Sequence, residues 1–246
     1  MVTVQESPLA SPDPDEATGG SPPEAGAPPR YVVEPMRTDH IPAVTEIESA
    51  SFSTTWPASA YRREIERNQM AIYLVARRTN LDEPPARTPR FPVREGGPRE
   101  PRQSLLSRLS QWMRGDVPLL APDEAAELEA IVGYCGMWLM VDVAHITTIA
   151  VDPPYRGQGI GELMLVELLH RAREVGAVEA TLECRVSNTV AQRLYQKYTF
   201  KKTGLRRRYY SDDGEDALIM TSEPLDSAVY RTVIAANRAR LMDRLG

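Results

Sequence analysis

Cysteine is scarce in this chain: Cys135 and Cys184 are the only two in 246 residues, too few for a disulfide framework. Both sit in apolar, strand-like contexts, where a thiol behaves as a small hydrophobe. With three histidines in the chain and none at ligand spacing from a cysteine, no metal site is expected. There is no basic-then-apolar leader and no apolar run long enough to span a bilayer, so the expectation is a cytoplasmic protein. Basic charge is not in excess either. A formal net charge of −5 argues against nonspecific nucleic-acid binding as the main role and is compatible with a basic protein partner. Internal repeats are missing as well.

What is present is unevenly distributed. Of 21 prolines, seven fall in residues 1–30 and eight between 84 and 122, which marks two stretches as lying outside the core. The first, rich in Ser, Pro, Gly, Asp and Glu, has the composition of a disordered arm. The second lies in an insertion over residues 79–129, between a YLVA strand and an IVGYCGMWLM strand, and reads either as a disordered insert or as an accessory element. Within it, SLLSRLSQWMRG puts Leu105, Leu109 and Trp112 at helical spacing beside Arg108 and Arg114. Residues 104–115 are therefore open to docking on a partner or a membrane surface, or to local packing.

A hydrophobic content of 42% is enough for one substantial core. Residues 31–222 predict a mixed α/β domain: a strand at Val32–Pro35, helices at His40–Ser51 and Ala58–Arg67, central strands, two further helices and a terminal hairpin. Leu225–Leu245 predicts an amphipathic C-terminal helix packing through Val229, Val233 and Leu241.

The most informative stretch is IAVDPPYRGQGIG, Ile149–Gly161. A buried strand breaks into a glycine-spaced turn and opens a helix, whose apolar residues Leu165, Leu168, Leu169, Ala172 and Val175 recur at three- and four-residue spacing before Gly176. Gly157, Gly159 and Gly161 remove side chains that would hold a pyrophosphate away from the backbone, while Arg156 and the helix N–H groups supply positive potential. The order R-G-x-G-x-G is not the dinucleotide fingerprint G-x-G-x-x-G. Next comes a strand carrying Glu183 and Arg185 on one face, a cap at Ser187-Asn188, and a helix carrying Tyr195. Asn188 and Tyr195 are two helical turns apart, roughly 10 Å, a spacing suited to an extended pantetheine-like arm.

In these segments the sequence resembles the GNAT acetyltransferases and, among them, the ribosomal-protein alanine N-acetyltransferase (RimI) group. SFSTTWPASAYRREI, VGYCGMWLMVDVAHITTIAVDP, YRGQGIG, LECRVSN, RLYQKYTF and RRRYYSDDGEDALIM occur in the order of that group and cover residues 31–222 apart from the insertion. The resemblance implies the GNAT fold, acetyl-CoA as donor and the N-terminal α-amine of a protein as acceptor, such as the N-terminal alanine of a basic small-subunit ribosomal protein. It implies Ile149, Ala150 and Val151 as the strand edge beside the thioester, and Gly157, Gln158, Gly159, Ile160, Gly161 and Glu162 as the pyrophosphate loop. It further implies Asn188 as a donor contact, Glu183 as general base, Tyr195 as general acid, and Tyr209 and Tyr210 on the hairpin bordering the peptide groove. Where the group carries glycine, this chain has Thr199, and the helix before it is expected to end differently.

The chemistry is consistent with those roles. An α-amine with a pKa of about 7.7–8.0 can lose its proton to a placed carboxylate, and a phenol with a pKa of about 10 can protonate a departing thiolate. Plainer alternatives stay open: Glu183 paired with Arg185 across the strand face, Tyr195 as a packing aromatic, His145 as a satisfied strand histidine rather than a proton relay, and Arg206–Arg208 as a solvated edge. Two other functions also stay open, a GNAT enzyme acting on a lysine or small amine and a non-catalytic acetyl-CoA-binding module.

Overall fold

The computed structural model describes residues 30–79, 126, 128 and 130–245. The arm expected before Arg30, the 104–115 segment and most of the 79–129 insertion lie outside these residues. Seven strands, β1 (Tyr31–Pro35), β2 (Ala71–Arg78), β3 (Ile131–Met140), β4 (Val143–Val151), β5 (Glu179–Arg185), β6 (Lys201–Arg206) and β7 (Ala217–Thr221), form one sheet in the order β1-β2-β3-β4-β5-β7-β6. β2 pairs antiparallel with β3 across the insertion, with Ala71 opposite Trp138 and Leu74 opposite Cys135. Every neighbouring pair is antiparallel except β4 with β5.

Helices cover both faces, which is why the central strands read as continuous apolar runs. On one face lie α1 (Ile41–Ser51) and α2 (Ala58–Arg67). Ile41, Val44 and Ile47 of α1 recur at helical spacing and pack with Tyr73, Val75, Tyr134 and Ala150 of the sheet. On the other lie α3 (Ile160–Glu174), α4 (Thr189–Lys197) and α5 (Ala228–Leu245). Their core includes Leu74, Cys135, Met137, Ile146, Leu165, Leu168, Leu182 and Tyr195. The largest fully buried side chains include five tyrosines, Tyr134, Tyr195, Tyr198, Tyr210 and Tyr230. A tyrosine core carries hydroxyls that need partners. Tyr61 donates to the Tyr134 hydroxyl at 3.1 Å, and Tyr198 donates to Glu162 at 2.5 Å.

Three local expectations are corrected. Leu241 is buried as expected, but Val233 is only half-buried and Val229 is 61% exposed, and Tyr230, Asn237 and Leu245 complete the buried face of α5. The Ser227 hydroxyl accepts the Tyr230 N–H at 3.1 Å, which sets the phase of the first turn and turns Val229 outward. Val175 is 43% exposed because α3 stops at Glu174 and Gly176 turns the chain at φ +85°. Thr199 takes the left-handed conformation after all, at φ 71°. The Phe200 N–H then reaches back to the Tyr195 carbonyl at 3.1 Å, closing α4 as glycine would. Burial of Phe200 against Tyr195, worth about 1.5–3 kcal/mol, outweighs the left-handed cost of about 1–2 kcal/mol.

Thr199→Gly removes that strain and gives up a 3.3 Å bond from the Glu223 N–H to the threonine hydroxyl. It is expected to stabilise the fold by about 0.5–1 kcal/mol, raising the Tm by about 1–4 °C in calorimetry. A lower Tm would show that the hydroxyl bond outweighs the strain.

Candidate active site

The parallel ladder between β4 and β5 lasts for three residue pairs, Val143 with Glu179, Ala144 with Ala180 and His145 with Thr181. Beyond them β4 continues to Val151 and β5 to Arg185 without pairing, so Ile149, Ala150 and Val151 line the diverging edge. Strand alternation puts Leu182 and Cys184 in the core under α3 and α4, and therefore Glu183 on the opposite face with His145. Tyr195, on α4, is fully buried in the α3 and α4 core. Glu183 and Tyr195 thus belong to opposite faces of the sheet.

Glu183 is 2% exposed. Its Oε2 lies 3.3 Å from His145 Nε2 and its Oε1 lies 3.0 Å from Arg206 Nε. The alternative pairing with Arg185 is not what forms. Arg185 turns to the hairpin acids, meeting Asp212 at 2.7 Å, Asp213 at 2.8 Å and Glu215 at 2.9 Å. Arg206 is correspondingly no mere solvated edge. Burial pushes His145 below its ordinary value, against the opposing pull of Glu183, while Arg206 supplies a fixed positive charge.

A small, open cleft lies on the same face, lined by Glu48, Phe52, Thr54, Trp56, Tyr61, Tyr73, Thr147 and Thr148. Adjacent strand residues normally point to opposite faces, but β4 carries a bulge: Ile146 pairs with Met137 and Thr148 with Gly136, leaving Thr147 as the extra residue. Both threonines consequently face the cleft. Glu48 is buried, which raises its carboxyl above the ordinary range, and its Oε1 accepts the Trp56 N–H at 2.9 Å, fixing the loop between α1 and α2. That loop also meets the hairpin between β6 and β7 through a hydrogen bond from Ser53 to Asp212. Tyr209 and Tyr210 stack edge to face at 5.3 Å in this hairpin, and Tyr210 is buried with the Arg185 guanidinium 3.9 Å above its ring. Tyr209 keeps an accessible side, and Tyr210 supports it.

The glycine turn precedes α3 with Gly157 at φ 76° and Gly159 at φ 89°. Leu163 is the first residue to donate back within the helix, to Gly159 at 2.9 Å. The N–H groups of Ile160, Gly161 and Glu162 therefore lack intrahelical acceptors, the arrangement that receives a phosphate. Arg156 braces the turn, donating to the Val151 carbonyl and to Ser51, each at 3.0 Å. Gln158 accepts from Tyr31 at 2.6 Å. Asn188 caps α4 by accepting the Ala191 N–H at 3.0 Å through its side-chain carbonyl oxygen. The loop and its helix thus fit the pyrophosphate of acetyl-CoA.

The sequence profile of the acetyltransferase (GNAT) family matches residues 86–200. A Bacillus subtilis protein assigned as a ribosomal protein bS18-alanine N-acetyltransferase is 32% identical over 191 residues, spanning 78% of this chain and 94% of that protein. The chain belongs to the GNAT acetyltransferase family. N-alpha-acetyltransferase RimI of Mycobacterium tuberculosis is 42% identical over 100 residues, 39% of this chain and 61% of that protein. The crystal structure of the Escherichia coli ribosomal-protein-S18-alanine N-acetyltransferase superposes with a TM-score of 0.54 at 21% identity, covering 80% of this chain and 96% of that one, so the fold is shared. Acetyl-CoA is the donor used by the family. Among the described residues no helix is long and apolar enough to cross a membrane, and no group of His, Cys, Asp and Glu could hold a metal ion.

Several residues escape sequence inspection. Glu48, Tyr73, Thr147 and Thr148 enter the site through helix docking and a bulge, neither of which leaves a local pattern. Glu162 was legible as part of the loop, but its environment was not: Lys197, Tyr198 and Arg244 converge on its carboxylate from α4, the end of that helix and α5. Burial alone would raise the Glu162 carboxyl; the three donors together hold it below its ordinary value of 4.5. A depressed folded value means that the stabilisation is complete above pH 4.5 and is lost as pH falls through the lower folded value. Glu162→Gln is accordingly expected to cost about 1–2 kcal/mol at pH 7, a modest figure because Lys197 and Arg244 are partly exposed. Urea unfolding at pH 7 and at low pH checks this, the difference from wild type shrinking in acid. A constant difference would mean the carboxylate charge contributes nothing.

Proposed function

We propose that this acetyltransferase transfers the acetyl group of acetyl-CoA to the N-terminal α-amine of a protein, with the N-terminal alanine of a basic small-subunit ribosomal protein as acceptor. The observation that carries the reading is the buried Glu183 carboxylate on β5 just past the point where its pairing with β4 ends, with Tyr195 buried on the other face of the sheet. The Bacillus subtilis relative, assigned to ribosomal protein bS18-alanine acetylation, supports the choice of acceptor.

Acetyl-CoA supplies the acetyl thioester, whose carbon–sulfur bond is exchanged for an amide bond to the acceptor nitrogen. Gly157–Glu162 hold the pyrophosphate, and Asn188 together with Ile149–Val151 holds the extended arm as a neighbouring strand would be held. The acceptor terminus enters from the opposite face, between the Phe52–Trp56 loop and the hairpin bearing Tyr209. Glu183 takes the α-ammonium proton, and Arg206 and His145 fix the carboxylate that does so. A backbone N–H near Val151 stabilises charge developing on the carbonyl oxygen, a contribution of a few kcal/mol for a well-aimed donor. Tyr195 gives its proton to the sulfur as it leaves; the nitrogen loses its second proton as the amide forms, which by way of solvent restores the phenol, and Glu183 releases its proton to solvent.

Glu183→Gln is nearly isosteric and is expected to keep acetyl-CoA binding while lowering kcat by about 10²- to 10⁴-fold. Tyr195→Phe is expected to lower kcat without loss of folding. Both are measured with an alanine-initiated peptide and with the same peptide blocked at its N-terminus. Undiminished acetylation of the blocked peptide through an internal lysine would refute the N-terminal assignment, and full activity of Glu183→Gln would refute the base.

A further inference from the structure

The last helix brings a cation to the glycine turn from outside the sheet. α5 docks through Tyr230, Leu241 and Leu245, all buried, and through Asn237, which donates to the Lys197 carbonyl at 2.8 Å. This docking carries Arg244 to the first turn of α3, where its Nη2 donates to Glu162 Oε2 at 2.8 Å. A Cβ built on Gly159 would lie 2.6 Å from the same Nη2 and 3.2 Å from the guanidinium carbon, so the cation rests against the backbone of the left-handed glycine. Lys197 reaches the other oxygen of Glu162 at 2.5 Å.

A carboxylate in the first turn of α3 would by itself repel a phosphate from the helix N-terminus. Here two cations face it, leaving one positive charge in excess where the helix dipole is also positive. The Arg244 side chain is 53% exposed, and a guanidinium carries five N–H donors. Glu162 therefore aims the arginine along the turn without consuming it. Such a planar fork suits phosphate oxygens better than a point charge does.

We infer that Arg244 is a donor-specificity residue: from the C-terminal helix it binds the pyrophosphate of the acetyl donor and makes the site selective for a nucleotide-linked thioester over a bare pantetheine thioester. The inference rests on the donor-loop reading of Gly157–Glu162 and is independent of which acceptor is used. Through Asn237 and Leu241, the docking of α5 becomes part of donor binding.

The test titrates the full chain with CoA by calorimetry and with pantetheine by NMR, in wild type, Arg244→Gln and Arg244→Lys. Arg244→Gln is expected to weaken CoA about tenfold and to flatten the salt dependence of its binding, while pantetheine, which lacks the phosphates, binds within about twofold of wild type. Arg244→Lys is expected to recover part of the loss. Unchanged or tighter CoA binding in Arg244→Gln would overturn the inference, as would an equal loss for pantetheine, which would mark the arginine as structural only. Gly159→Glu serves as the control for the turn itself. CoA binding that survives it would overturn the donor-loop reading along with the inference.

Discussion

A parallel strand pair normally continues as long as both strands do, because each unpaired N–H and C=O left in the interior carries a desolvation cost of about 1–3 kcal/mol. In this acetyltransferase the β4–β5 ladder stops after His145 and Thr181 although both strands run on. The proposed site is arranged around that interruption. The exposed edges ask for an extended polar ligand in the place of a strand, and the groups proposed to act on it stand at the two faces of the opening. Glu183 lies on the side covered by α1 and α2, Tyr195 on the side covered by α3 and α4. A continuous ladder would seal the sheet and separate them.

In the proposed reaction the two helical layers serve different ends. α3 begins at the glycine turn, so its unsatisfied N–H groups and its dipole point toward the donor side, and α4 and α5 are built to neutralise the one carboxylate that intrudes there. α1 and α2 instead hold a loop. Glu48 is buried for the sake of the Trp56 N–H, an uneven exchange for a carboxyl that burial pushes upward, and it makes sense only if the position of the Phe52–Trp56 loop matters. The bulge that turns both Thr147 and Thr148 to the cleft acts in the same direction.

Tyrosine is the core's preferred large residue on both sides, with ten in the chain against three phenylalanines. Each buried ring adds apolar area and one hydroxyl that must be met, which converts packing into polar positioning. Tyr198 illustrates it: the ring fills the α3 and α4 core while the hydroxyl fixes Glu162. Arg185 does the equivalent for the hairpin, joining three acids over the face of Tyr210 and so fixing the turn that carries Tyr209.

Local order was legible in the sequence wherever a backbone requirement or a period imposes residue types. The glycine turn, the Asn188 cap, the amphipathic helices and the continuous runs of β3 and β4 were all readable, because neighbours along the chain decide them. Thr199 shows the limit of that logic: local propensity pointed away from a left-handed end, and the burial of Phe200 imposed one. Val229 shows another, since apolar character did not say which side of α5 faces the protein. The partner of Glu183 also lay beyond sequence reach, because Arg185 is two residues away and Arg206 twenty-three, and only the β5-β7-β6 order brings the latter across. The chain by itself determined which elements exist and which chemistry they can carry. Tertiary structure decided where the sheet opens, which charges meet there and that Arg244 lies on Gly159, since these depend on register and docking between segments far apart in sequence.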